Sequence, residues 1–152
     1  MKRILCALVL VVAGISFCLA ASPSARIDHV EFTGNMTLDG NDGFELLLGC
    51  DIENMVGKSI DVSVTATDAQ GNTLAYADGE PMIAFDSFVI ENSGTDALGV
   101  FIPKKMLEAC KGDWHAKVEL YNNEDNTLLA ESGLMTFYEA EIQNLLSGKF
   151  NE

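Results

Sequence analysis

SIDVSVTAT, residues Ser59–Thr67, decides the fold class. Ile60, Val62, Val64 and Ala66 alternate with Asp61, Ser63, Thr65 and Thr67. A period of two puts the apolar set on one face and the polar set on the other, as in a β-strand buried on one side. The same pattern runs outward in both directions. Upstream, Phe44, Leu46, Leu48, Cys50 and Ile52 share one face of Phe44–Glu53, with Leu47 the apolar exception. Arg26–Thr33 forms a first strand, with Val30 and Phe32 on one side. Downstream, Thr73–Ala77, Met82–Ile90 and Thr95–Ile102 are further strands, the last stopped by Pro103. Asp113–Tyr121 places Trp114, Ala116, Val118 and Leu120 inward and His115, Lys117, Glu119 and Tyr121 outward. In Thr127–Tyr138 the apolar parity shifts from Leu128 and Ala130 to Met135 and Phe137, so Gly133 marks a bulge.

Gly, Asn and Asp clusters separate these runs. Gly34–Asn35, Asp39–Gly43, Asn54–Lys58, Asp68–Asn72, Glu91–Gly94 and Asn122–Asn126 read as turns. Lys104–Cys110 has room for one or two helical turns. With seven or eight strands and no βαβ unit, the chain is expected to be an all-β, immunoglobulin- or fibronectin-like antiparallel sandwich with a short helix near 104–110. Residues 21–138 form this domain. Residues 139–152 form a weakly amphipathic or frayed tail, in which Ile142, Leu145 and Leu146 stand at helical spacing.

The chain begins Met1-Lys2-Arg3, followed by an apolar run from Ile4 to Phe17 and then Cys18-Leu19-Ala20-Ala21. A positive start, a short apolar centre and small residues at the end read as a signal peptide over residues 1–20. The run is shorter than the ~20 apolar residues of a membrane span. A secreted or periplasmic protein is expected, with no transmembrane span in the mature chain. Ile15-Ser16-Phe17-Cys18 has the outline of a lipoprotein box, a minor alternative that anchors the chain through Cys18. Phe17 fits it poorly, because the residue before such a cysteine is small.

Lys2 and Arg3 leave with that segment, so the mature chain carries 23 Asp+Glu against 7 Lys+Arg, a net charge of −16. Such a surface repels phosphate backbones and anionic lipid, which argues against nucleic acid as a partner.

The order GFELLLGCDIEN, IDVSVTATDAQGNTL, FIPKKMLEACKGDWHAKVELYNNEDNTLLAESG and MTFY resembles a small secreted immunoglobulin-like β-sandwich domain of anaerobic Gram-negative bacteria, a largely uncharacterised family. The likeness covers about residues 28–138 and rests on turn and core positions. It implies a fold and a compartment and transfers no catalytic residue.

Chemistry-bearing residues are few. His29 and His115 are the two histidines, and G-x-S-x-G, C-x-x-C and H-E-x-x-H are all lacking. No catalytic, cofactor-binding or metal-binding residue is assigned, and no cofactor is expected. Asp39–Gly43 resembles the start of a calcium loop, but the acidic ligand such a loop requires falls on Cys50. Asn122–Asn126 also concentrates oxygens, and a turn explains both segments. Trp114 lies in the inward row, away from any sugar platform. Cys50 and Cys110 are the two cysteines of the mature chain, and a secreted pair suggests a disulfide. The strand order places them near opposite ends of the sandwich, so they are expected to be unbonded. The expected function is a non-catalytic module for protein interaction or envelope structure, with an envelope or extracellular protein as partner. A glycan- or calcium-binding module is the alternative. Thr73–Ala77 and Phe85–Ile90 are the candidate sheet edges.

Overall fold

A computed structural model describes residues 20–149. Residues 1–19, on which the expected signal peptide and the Cys18 lipoprotein box fall, and residues 150–152 lie outside the described residues. Seven strands run in chain order: β1 Ser24–Leu38, β2 Asn41–Glu53, β3 Ser59–Thr67, β4 Ile83–Val89, β5 Gly94–Pro103, β6 Trp114–Asn122 and β7 Leu128–Phe137. Two short helices, α1 Lys104–Glu108 and α2 Glu139–Leu146, complete the fold. One sheet has the order β1-β2-β5 and the other β4-β3-β6-β7, with antiparallel pairing throughout. This is an all-β sandwich of the immunoglobulin–fibronectin kind. No described helix is long and apolar enough to cross a membrane.

The inner faces follow the alternation. Leu46, Leu48, Cys50 and Ile52 of β2 are fully buried, facing Ile60, Val62, Val64 and Ala66 of β3 and Trp114, Ala116, Val118 and Leu120 of β6. Phe32 and Phe137 pack on Trp114 at ring-centroid distances of 5.7 and 5.4 Å. This aromatic group joins the two sheets where β1, β6 and β7 meet.

Register slips keep β1 and β7 in phase with the core. In β1 the register slips between Ile27 and His29 and again between Phe32 and Gly34. The first slip lets Ile27, then Val30 and Phe32, all pair with inward residues of β2 despite their mixed parity. In β7 one slip falls opposite Leu120 and Tyr121 and another opposite Lys117 and Glu119. There Gly133 takes φ +70°, and the Val118 N–H donates to Ser132 Oγ at 2.9 Å in place of a ladder carbonyl. Met135 and Phe137 then face inward, as the parity change predicts.

Four local expectations are corrected. Gly34–Asn35 is not a turn; it lies within β1, because pairing to Glu45 and Phe44 extends the strand to Leu38. The tight turn is Asp39–Gly40, both with positive φ (51° and 78°), the two-residue geometry that suits strand twist. Thr73–Ala77 is not a strand. It is held by the single bridges Thr67–Thr73 and Ala75–Pro81, with Leu74 N–H donating to Ala66 O. Of the two alternatives for the segment from residue 139, the amphipathic one describes Glu139–Leu146 and the frayed one does not, since α2 buries Ile142 and Leu145 against the core. Its first turn is fixed by Tyr138 N–H donating to Glu141 Oε2 at 2.9 Å and Glu139 N–H to Asp113 Oδ1 at 2.8 Å. Asp61 does not face solvent; it is buried on the outer side of its sheet.

Cys50 and Cys110 are both free thiols. Cys50 pairs with Asp96 near one end of β2, whereas Cys110 follows α1, beyond the Gly43–Pro103 end. About 23 Å of strand, at ~3.3 Å per residue, separates Gly43 from Cys50. A disulfide tolerates a Cα separation of only about 7 Å.

Candidate functional site

The outer face of the β4-β3-β6-β7 sheet is the most differentiated surface. Pairing sets its rows. Phe85 lies beside Ser63, then Glu119 and Glu131; Ile83 lies beside Thr65, then Lys117 and Leu134; Ser87 lies beside Asp61, then Tyr121 and Leu128. The centre is polar and internally paired. Lys117 Nζ meets Glu119 at 2.8 Å and Glu131 at 3.3 Å. The Glu119 carboxylate, then that of Glu131, holds the Lys117 ammonium above its ordinary range.

Asp61 anchors this face. Its Oδ1 accepts from Ser87 Oγ at 2.5 Å, and both carboxylate oxygens accept from Asn123 Nδ2 at 3.0 and 2.9 Å. One buried side chain thus ties the edge strand β4 to the β6–β7 turn. Hydrogen bonds to a charged group contribute about 1.5–3 kcal/mol. Asp61→Ala, which leaves both donors unanswered, is expected to lose about 2–3 kcal/mol in urea denaturation of residues 21–152. Asp61→Asn should fall between it and the parent.

At one margin of this face the polarity reverses. Ile83, Phe85 and Val89 of β4 stand 46, 63 and 64% exposed in one row. Phe88 is half-buried and Ile90 buried, so the four apolar residues of Phe85–Ile90 divide between the two faces. β4 is also the end strand of its sheet. Candidate edge Phe85–Ile90 therefore lies on an edge, while Thr73–Ala77 does not.

The two histidines stay apart. His115 faces outward beside Lys117, and its Nδ1 lies 2.9 Å from Thr136 Oγ1. His29 packs its ring over Gly49 on the other sheet, where any Cβ would collide with it. A cleft of about 540 Å³ gathers Asp68, Leu74, Cys110, Lys111, Asp113 and His115. Its thiol is committed elsewhere. Cys110 Sγ donates to Met106 O at 3.5 Å, and burial pushes its pKa up. That keeps it as the weakly nucleophilic thiol. Spacing alone did not foretell this cleft, because α1 brings Cys110 to the end of β3.

The oxygen-rich loops serve the backbone. Asp125 Oδ1 accepts from Thr127 N–H at 3.0 Å and Asn122 Oδ1 from Glu124 N–H at 3.1 Å. Among the described residues, no three His, Cys, Asp or Glu side chains converge on a metal-sized space. Trp114 is fully buried, and Tyr76 lies under Lys105 Nζ at 4.9 Å from the ring centroid.

No family model matches the chain, and no curated protein does. Among solved structures it is similar to a calcium-binding mutant of Bacteroides uniformis beta-glucuronidase 2, with a TM-score of 0.40 and 12% identity over 76% of this chain and 14% of that one. A beta-glucosidase from Kluyveromyces marxianus gives a TM-score of 0.36 and 12% identity over 77% of this chain. In both cases the chain spans only 14% of the other's length.

Proposed function

We propose that this protein is a non-catalytic, secreted or periplasmic interaction module that meets another envelope or extracellular protein through the β4 margin of its four-stranded sheet. The observation that carries the reading is the row Ile83, Phe85 and Val89, exposed on an edge strand beside a polar, self-paired sheet face. Large apolar side chains left in one row raise the free energy of the isolated domain, and a partner that covers them recovers it. The committed Cys110 thiol and the separation of His115 from His29 favour binding over catalysis. The likeness to secreted immunoglobulin-like domains of anaerobic Gram-negative bacteria supports the compartment.

Affinity capture from an envelope fraction is expected to recover one stoichiometric protein. The double variant Phe85→Lys/Val89→Lys should lose it, and Leu47→Lys, on the opposite sheet, should retain it. Equal recovery by all three baits would sink the reading. A thermal shift with Ca²⁺ or a sugar panel, set against flat behaviour with the captured protein, would replace it with ligand binding.

A further inference from the structure

Ile90 N–H donates to Lys58 O, and Met82 O accepts from Ala66 N–H. Even-numbered residues of β4 therefore turn their backbone groups toward β3. Ile83, Phe85, Ser87 and Val89 turn theirs outward, and all but Ser87 expose apolar side chains. Two of these four donors are occupied. Ile83 N–H reaches Pro81 O at 3.0 Å, and Ser87 N–H is taken by Asp86 Oδ1 at 2.9 Å. Asp86 has core-side parity with Ala84 and Phe88, an inward charge on an edge strand that discourages casual pairing. The neighbouring edge strand β5 repeats the device. Asp96, with core-side parity, takes Ala97 N–H at 2.8 Å. Two edges on one flank of the sandwich are thus each guarded by a carboxylate.

The charge around them has one sign. From Ser59 to Pro103 the sequence contains Asp61, Asp68, Asp78, Glu80, Asp86, Glu91 and Asp96 and no Lys, Arg or His. A second copy would bring a like-charged edge against this one, which disfavours self-pairing. A basic strand would be drawn to it. We propose that β4 accepts, as an added strand, an extended segment of another protein that alternates apolar and basic residues, with Asp86 as the gate. A Lys or Arg beside Asp86 draws its carboxylate off Ser87 N–H and frees that ladder position. The apolar residues of the segment lie against Phe85 and Val89, while Phe85 and Val89 N–H donate to its carbonyl oxygens.

The proposal rests on the interaction reading above, and its test separates the two. The probe is the blocked nonapeptide Lys-Val-Lys-Val-Thr-Val-Lys-Val-Lys, added to the mature chain. One control replaces Lys by Glu, and a second methylates alternate backbone nitrogens. Amide exchange followed by NMR is expected to slow about tenfold or more at Phe85 and Val89 with the Lys peptide alone. In Asp86→Ala, the affinity ratio of Lys to Glu peptide should fall about tenfold, because the guard and its charge leave together. Absence of binding, binding without protection at these amides, equal binding of the methylated peptide, or an unchanged ratio in Asp86→Ala would each overturn strand addition. Protection of the same amides by self-association, seen in sedimentation, would overturn it in favour of a second copy. The Phe85→Lys/Val89→Lys capture result stands or falls independently, because it requires only contact at this margin.

Discussion

Trp114→Ala is expected to lower the unfolding free energy by about 3–5 kcal/mol, as for other large aromatic-to-alanine changes in cores. Trp114 is fully buried and lies first in β6, packed between Phe32 of β1 and Phe137 of β7. Phe32 also meets Phe44 edge-on at 6.4 Å. Deleting the indole therefore opens a cavity bounded by strands of both sheets, which cannot close without moving the sheets relative to each other. A domain of this size has about 5–15 kcal/mol of stability in total, so the variant sits near the unfolding threshold. Trp114→Phe tests the mechanism. Trp114 Nε1 meets no acceptor among the described residues, so phenylalanine removes ring volume and forfeits no hydrogen bond. It should cost clearly less than alanine. Urea midpoints followed by far-ultraviolet circular dichroism would measure both, and equal losses would show that packing volume is not the cause.

The second large effect is alkaline. Burial, with Asp28 and Asp96 adding, pushes the Cys50 thiol up to about 12 from an ordinary 9.0. Below the ordinary value the folded and unfolded chains both hold the proton, and Cys50 adds nothing to the pH slope. Above it the unfolded chain releases the proton and the folded chain keeps it. Stability attributable to this site therefore falls as pH rises from about 9 toward about 12, by about 4 kcal/mol across the window. Cys50→Ala should flatten that decline without altering the slope near neutrality. The same burial predicts that a thiol reagent at pH 8 modifies the half-buried Cys110 in the folded protein of residues 21–152, and both thiols only in urea. Two fast thiols in the native state, or an unchanged alkaline slope in the alanine variant, would contradict the placement of Cys50.

Most of the sandwich was legible because a strand between core and solvent writes its burial into every second residue. Ser59–Thr67 is β3 end to end, and the inward row of β6 reads directly from Trp114 to Leu120. Gly133 was legible for the same reason, since a bulge shifts parity. The misses share a different cause. Gly34–Asn35 is a good turn pair locally, but β2 offers thirteen consecutive residues for pairing, and the ladder continues through it. Thr73–Ala77 alternates suitably yet lacks an uninterrupted neighbour, because Met82 and Ala66 already bond to each other. Ile142 and Leu145 are too few to form an isolated helix, and packing on the core supplies what the segment lacks.

The candidate site was half legible. Phe85–Ile90 was visible as an apolar stretch that no single face could absorb. Asp86 and Asp96 carried no local mark, because their meaning depends on β4 and β5 ending their sheets on the same flank.

The sequence by itself determined the strand pattern, the inward face of each strand, the position of Trp114 and the acidic balance. Each depends on residues within one strand's length, where periodicity and charge add up locally. Tertiary structure alone decided that Asp61 is buried under Asn123, that α2 docks, and that of the two candidate edges it is Phe85–Ile90 that ends a sheet. These depend on which distant strands become neighbours. A change of neighbour alters what an aspartate or a phenylalanine does without altering the periodicity of its own strand.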